Sequence, residues 1–315
     1  MVENDWRHTV ALPADNPALQ GRIRFCDLLP KLALFIIDIH THVIPDIYPS
    51  AVFNPSNDAQ YMTINYCHTG RCELELKNGS CTYLGGGEVA IEAGQAKRGN
   101  STFYYPTSHY HGCELVLMPD VTIGFDGNGG ADNVAARLWN RCACLKDPAI
   151  ISAGDTFTAA FAQLSDDALN QPRKELATLD VFRILHLLEE IPQDDNRRRD
   201  YFTPSQTQIA KEAMRLITDD TSRRRSAAEL AAHFGISESS LKNYFKGVYG
   251  YGFAQFQREM RMQKAAELLR ETKQPVGVVS GQVGFASQSK FGRAFKDFFG
   301  VTPTEYRRQS RIANR

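Results

Sequence analysis

The chain has 315 residues, and its 36 Lys/Arg balance 36 Asp/Glu, so the formal net charge is zero. At roughly 100 to 200 residues per domain this length predicts two domains, and 43% hydrophobic with 23% charged residues excludes an intrinsically disordered chain. Taken whole, the charge balance argues against a protein coated in positive charge for nucleic acid.

The amino-terminus, Met1 to Asp5, is acidic and no apolar core follows it, so no signal peptide is expected. The longest purely apolar run, Leu32 to Ile37, is far short of the roughly 20 residues that span a bilayer. No membrane partner is expected. Seven cysteines with no export signal point to reduced thiols and the cytoplasm. Cys142 and Cys144 are a candidate redox pair, but buried reduced cysteines are the preferred reading.

Between about residues 33 and 118 the sequence alternates and is punctuated by turn signals. Cys72 to Lys77 and Ser80 to Leu84 flank Asn78-Gly79, the strongest short hairpin signal. Gly85 to Gly87 then turn the chain into Val89 to Ile91, and Glu114 to Met118 read as another strand. Short strands with glycine-rich turns predict a small barrel or jelly roll. His40-Thr-His42 and His109-Tyr-His111 each set two imidazoles on one face of a strand, which could in principle assemble a four-nitrogen metal site. Only Asp46 follows the first pair as a carboxylate, and no glycine-flanked metal motif surrounds it. Histidines that line or rim a ligand cavity, or are simply exposed, are therefore preferred, with no metal and no cofactor expected.

From Asp155 the pattern turns helical, and Ala177, Val181, Ile184, Leu185 and Leu188 fall on one apolar edge. Asp194 to Asp200 is charged and free of apolar residues, and Pro204 follows as a breaker. A cut there is informative. Residues 205–315 hold 19 Lys/Arg and 10 Asp/Glu, a net +9, which leaves −9 for the first 204 residues. The neutral total is a cancellation, and the basic part is a candidate nucleic-acid module.

That part reads as helices with short breaks. Ile209, Ala213 and Leu216 mark a first helix over Gln206 to Leu216. Ser226-Ala-Ala-Glu229 has the form of a capping box and opens a short helix. Gly235 can end it, and Ser237 can cap the next helix, Glu238 to about Val248. Two short helices about a glycine turn are the form of a helix-turn-helix. The pattern recurs. A longer helix, about Phe253 to Arg270, leads through Thr272 to Pro275 into Val276, Val279 and Val283. Gly284 supplies the turn, and Ser287 to Phe299 makes another helix. Thr302-Pro-Thr-Glu305 again has capping-box form.

Four pieces in this order carry a family resemblance: Glu229 to Ser237, Arg261 to Leu269, Val283 to Phe295 and Phe299 to Tyr306. Residues Arg225 to Arg308 resemble the DNA-binding domain of the AraC/XylS transcriptional regulators. One departure is Gly277-Val-Val-Ser-Gly281, where the family usually has an Ala-Glu-Ile-Ala-like segment. Two glycines in a short helix cost up to about 1 kcal/mol each relative to Ala, which predicts a looser second unit.

The resemblance implies double-stranded promoter DNA as partner. A connecting helix of about eighteen residues is about 27 Å long. With its flanking turns it can set two recognition helices about 34 Å apart, one DNA turn. In the first recognition helix Leu241, Tyr244, Phe245 and Val248 make the packing stripe and leave Ser239, Ser240, Lys242, Asn243 and Lys246 outward. In the second, Phe291, Ala294, Phe295 and Phe298 pack and leave Gln288, Ser289, Lys290, Arg293 and Lys296. Arg293, Asn243 and Gln288 are the candidates for base contact, and the lysines steer toward phosphate.

The same resemblance makes the amino-terminal strands similar to the cupin-like sensor domain of such regulators. It also offers the Ala177 to Leu188 edge as a homodimer contact, against the alternative that this helix packs on the barrel. Methyl-accepting zinc-thiolate domains occur beside some AraC-type domains, but Cys67, Cys72, Cys81 and Cys113 lack any Cys-x-x-Cys spacing. The expected fold class is α+β with two domains. Residues 1–150 form a cupin-like effector-sensing β-barrel or jelly roll, 151–200 a helical linker or dimerisation segment, and 205–315 an all-α tandem helix-turn-helix domain. The expected function is a cytoplasmic, non-enzymatic transcriptional activator that answers a small-molecule effector, with RNA polymerase as a further candidate partner. A constitutive regulator with a scaffold barrel and a metal-dependent cupin enzyme with a DNA-binding tail are the alternatives.

Overall fold

The computed structural model describes residues 7–11, 21–40, 43–45, 60–76, 78–95, 102–107, 109–121, 133–145, 147–169, 173–191, 200–219 and 225–313. His42, Asp46, the acidic amino-terminus and most of the charged stretch before Pro204 lie outside them. The chain divides into two units, Met1–Tyr201 and Phe202–Arg315.

The first unit is built on antiparallel strands: β1 (Arg7–Ala11), β2 (Gly21–Leu29), β3 (Leu32–Ile39), β4 (Val43–Pro45), β5 (Gln60–Glu75), β6 (Cys81–Gly85), β7 (Glu88–Gln95), β8 (Thr102–Tyr104), β9 (Tyr110–Leu117) and β10 (Ala149–Ser152). They run in the order β1-β2-β3-β9-β5-β7-β10, with β6 added to β5 and a separate β4–β8 pair. Among the described residues the two ends of this sheet, β1 and β10, do not pair with each other, so it is an open antiparallel sheet where the sequence predicts a barrel or jelly roll. The Asn78-Gly79 turn forms as predicted. Gly79 is left-handed at φ +79°, and the Leu76 amide donates to the Ser80 carbonyl at 2.8 Å.

Both faces of the sheet are buried, which is why β3 reads as the longest apolar run of the chain. One face carries Cys26, Leu34, Ile36, Ile64, Tyr66, Cys113 and Leu115 against three helices, α1 (Val134–Ala143), α2 (Asp155–Leu169) and α3 (Lys174–Glu189). Tyr66 stacks on Phe161 of α2 at 4.4 Å. The other face carries Phe25, Phe35, Ile37, Ile39, Cys67, Cys72, Tyr105, Tyr110 and Val116. Six cysteines are buried and Cys144 is exposed, all as free thiols. Burial pushes the Cys67 thiol up to about 12 and raises Cys72 and Cys113 as well, so these thiols stay protonated.

Ala177, Val181, Ile184, Leu185 and Leu188 of α3 are each fully buried in this same core. The apolar edge offered as a dimer contact is therefore corrected. Val181, Ile184, Leu185 and Leu188 each gain roughly 1.5 to 3 kcal/mol from burial inside their own unit, and none of the five is presented to a second chain. The exposed apolar residues of α3 are Leu176 and Leu179 on its outer side.

Between α2 and α3, Asp167 is buried and ion-paired with Arg173. Hydrogen bonds from Gln163 and Arg173 hold it below its ordinary value. Asp180 faces it, and burial together with the Asp167 charge pushes Asp180 up from 3.8 to about 6. The folded protein thus binds this proton more tightly than the unfolded chain. The stability it contributes is complete below about pH 4 and is lost as pH rises through about 6. Asp180→Asn, which keeps a donor for Asp167 at every pH, is expected to melt above the parent protein at pH 7.5, with the gap closing toward pH 4. A gap that instead widens toward pH 4 in thermal melts would contradict the carboxyl pairing.

The second unit is all helical: α4 (Pro204–Asp219), α5 (Ala227–His233), α6 (Glu238–Tyr249), α7 (Phe253–Glu271), α8 (Val276–Gln282), α9 (Gln288–Phe299) and α10 (Pro303–Ala313). The Ser226/Glu229 capping box is complete, with both reciprocal hydrogen bonds. Thr302 and Glu305 cap α10 in the same way. In α4 the buried residues are Thr207, Ala210, Ala213 and Ile217. Ile209 and Leu216, expected in the buried stripe, are only half-buried.

Candidate nucleic-acid interface

Two helices of twelve residues, α6 and α9, are framed alike at an offset of fifty residues. Ser237 and Ser287 occupy the N-cap positions, and their side chains accept from the Ser240 and Lys290 amides. Gly250 and Gly300 end the helices in left-handed conformation, at φ +82° and +76°, and donate to the Lys246 and Lys296 carbonyls. The turns before them hold Gly235 and Gly284, also left-handed. Leu241 and Phe245 in α6 answer Phe291 and Phe295 in α9, all fully buried. The repeat therefore places Asn243 with Arg293 and Lys246 with Lys296 at equivalent outward positions.

Ser239, Lys242, Asn243, Lys246, Gln288, Ser289, Lys290, Arg293 and Lys296 are exposed, and Ser240 is half-buried. Ser239 and Ser240 both bond to the Ser237 hydroxyl, at 2.9 and 2.8 Å. Lys242 pairs with Glu238 at 2.6 Å, so part of its charge is already spent on its own helix. Gln288 leans over α8: a Cβ on Gly277 would stand 2.8 Å from its Oε1. The glycine that departs from the family pattern makes room for a recognition-helix side chain.

Two packing assignments change. Tyr244 is half-buried, and the buried aromatic next to Phe245 is Tyr249, 4.5 Å away. Phe298 is 37% exposed and does not pack as expected. Its neighbour Phe299 turns in instead, 4.6 Å from Phe295 and 5.2 Å from Tyr306.

Helix α7, about 28 Å long at 1.5 Å per residue, joins the two halves. Phe253 and Phe256 pack on Phe245 in the first half, and Met262, Ala265, Ala266 and Leu269 enter the second core. Charge counting alone overstates the basic surface. Arg261 donates to the Val283 carbonyl at 2.5 Å and lies over the Phe285 ring. Arg307 donates to Leu269 and Gln274 carbonyls, Arg225 to that of Leu216, and Arg215 pairs with Glu212 and Asp219. Arg261, Arg307 and Arg225 tie separate segments together, a role that spacing does not reveal, and Arg215 is engaged within α4.

In the first unit His40, His68, His109 and His111 gather at one end of the sheet. Asp38 pairs in register with His111, two places beyond Ile36 and Cys113. Its face is thus the one covered by α1–α3, and not that of Tyr110 and Cys67. The His40 and His109 rings lie tilted to each other at 4.9 Å, and His68 meets His111 edge-on at 5.3 Å. Burial, with His68 second, pushes the His111 imidazole below its ordinary value.

The helix-turn-helix domain family matches residues 230–309. The transcriptional activator AggR of Escherichia coli is 22% identical over 247 residues, 76% of this chain and 88% of that protein. A putative AraC-like transcription regulator of Streptomyces antibioticus is 30% identical over 100 residues, 32% of this chain and 33% of its own. The carboxy-terminal unit is a helix-turn-helix domain of the AraC/XylS type. The transcriptional regulator Rob of Salmonella typhimurium is 40% identical over 85 residues of this AraC-type domain, 27% of this chain and 29% of that protein. This chain thus spans most of AggR but only about a third of the other two. Within the described residues no helix is long and apolar enough to cross a membrane.

Proposed function

We propose that the chain is a sequence-specific regulator of transcription, an activator in the manner of AggR, with double-stranded DNA as the partner of the AraC-type domain. The observation that carries the reading is the pair of twelve-residue helices in identical frames, each presenting exposed amide or basic side chains. Arginine can hold guanine and asparagine adenine through paired hydrogen bonds in the major groove. Arg293 and Asn243 take these roles, Gln288 reads beside them, and Lys246, Lys290 and Lys296 meet phosphate. Ser239, Ser240 and Ser289, at the amino-terminal turns, contact the backbone.

The amino-terminal unit is proposed to bind a small-molecule effector. The supporting feature is its second buried face, where Tyr105, Tyr110 and Glu114 lie among apolar side chains and the Tyr110 hydroxyl donates to Asn65 at 2.5 Å. Activation as a homodimer in contact with RNA polymerase completes the proposal.

Its test is gel-shift binding to sites recovered by genome-wide mapping in the native host. Arg293→Ala is expected to weaken binding by about 1–3 kcal/mol and to relax preference at one base pair. Lys296→Ala is expected to weaken all sequences alike and to lower the salt slope by about one. If neither weakens binding, the assignment of α9 to DNA is wrong.

A further inference from the structure

Away from the nucleic-acid interface, Asp38, His40 and His109 each bring one donor atom to within 4.8 Å of the other two. Strand pairing builds the cluster. Ile39 is paired with Tyr110, so His40, just past the end of β3, meets His109, just before β9. His40 Nδ1 and His109 Nδ1 stand 3.3 Å apart. A tetrahedral ion with metal–nitrogen bonds of 2.0–2.1 Å sets its ligand atoms about 3.3 Å from one another, so this pair already has the separation such an ion needs.

On the far side of His109, Nε2 lies 3.1 Å from the Thr69 hydroxyl. An Asp38 carboxylate oxygen lies 3.2 Å from His40 Nε2, and this carboxylate rotates from that nitrogen toward the ion to join the set. Partners on the far nitrogen fix the tautomer and the ring orientation of metal-binding imidazoles. Thr69 is itself brought to this place by a bulge. The register of β5 against β9 shifts between Cys67 and Thr69, with His68 as the extra residue, and such bulges re-aim side chains. Asp38 and His40 are each about half exposed, at 49% and 51% of their side chains, so an ion can enter from solvent and side-chain rotation can close the set.

We propose that His40, His109 and Asp38 bind a divalent transition-metal ion of the zinc type at this end of the sheet, with water in the remaining position. Two imidazoles and a carboxylate suit zinc, nickel or copper rather than magnesium or calcium, which take oxygen donors. This site is independent of the regulatory reading above and stands or falls separately from it.

The test is calorimetric titration of the tag-free full-length protein, stripped with a chelator, with zinc chloride. One equivalent is expected to bind at micromolar concentration, and magnesium chloride is expected to give no heat. His40→Asn and His109→Asn keep polar groups at half-exposed positions and are each expected to lose at least tenfold in zinc affinity. Thr69→Val acts through the His109 ring and is expected to lose about tenfold, within the 10–100-fold range for such outer partners. His68→Asn is expected to bind zinc as the parent does. Zinc binding that is absent, that survives the His40→Asn/His109→Asn double change, or that is lost in His68→Asn overturns the proposal. Circular dichroism of each variant confirms that it is folded, and should an asparagine variant not fold, His109→Gln replaces it.

Discussion

Phe295→Ala is expected to destabilise the AraC-type domain by about 3–5 kcal/mol and to abolish measurable operator binding. Phe295 is fully buried, and its ring lies 5.5 Å from Phe291, 4.6 Å from Phe299 and 5.4 Å from Tyr306. It is the side chain at which α9 and α10 meet over the Met262 to Leu269 stretch of α7. A loss of that size is a large part of the 5–15 kcal/mol that holds an ordinary domain. The second recognition helix would then lack a fixed platform. The informative comparison is Phe298→Ala. By helical spacing the two phenylalanines are equals, but Phe298 is exposed, and its removal is expected to change stability by no more than about 0.5 kcal/mol. Urea unfolding of both variants separates the cases: equal losses would show that the packing of α9 has been misassigned.

That contrast shows where sequence and structure part company. The caps of the helical unit are local events, so Ser226, Gly235, Ser237, Gly284, Ser287 and Thr302 announce the helix ends through chemistry that reaches only three or four residues. Which of two apolar neighbours turns inward is a tertiary matter. Phe299 displaces Phe298 because α10 brings Tyr306 to that side, and nothing within α9 records the arrival of α10. The same holds for the arginines. Arg261 and Arg307 count as basic surface in a composition, but carbonyl groups twenty-two and thirty-eight residues distant along the chain have claimed them.

In the first unit the hairpin at Asn78-Gly79 and the glycine turn before β7 were legible for the same local reason. Strands β1 and β2 were not, since their residues carry no turn signal of that strength, and sheet order depends on partners far apart in sequence. The histidine pairs were visible as pairs. That Asp38 and His111 lie on the helix-covered face was hidden, because it follows from the β3–β9 register, and one residue of slip would have turned them to the opposite face. The apolar edge of α3 was visible too, but periodicity shows only that a face is covered and not by what.

The second large effect falls on that register. Gly70→Ala is expected to cost the amino-terminal unit more than about 3 kcal/mol, because two penalties act together. Gly70 has φ +93°, a region that costs a residue with a side chain about 1–3 kcal/mol. In addition, an added Cβ would lie 2.0 Å from the His109 carbonyl oxygen and 2.9 Å from the Tyr110 Cα. Both are backbone atoms of the neighbouring strand and cannot swing aside as a side-chain tip can. The pairing of Gly70 with Tyr110 must open, which draws the fully buried Tyr110 out of its packing and moves His109 away from His40. Gly87→Ala is the control. Gly87 is also left-handed, at φ +76°, but its Cβ would meet nothing within 4 Å, so only the conformational cost of about 1 kcal/mol remains. Calorimetric melting of the full chain should show the larger drop for Gly70→Ala, accompanied by loss of zinc binding that Gly87→Ala retains. Equal melting shifts for the two variants would mean that β5 and β9 do not approach this closely at the bulge.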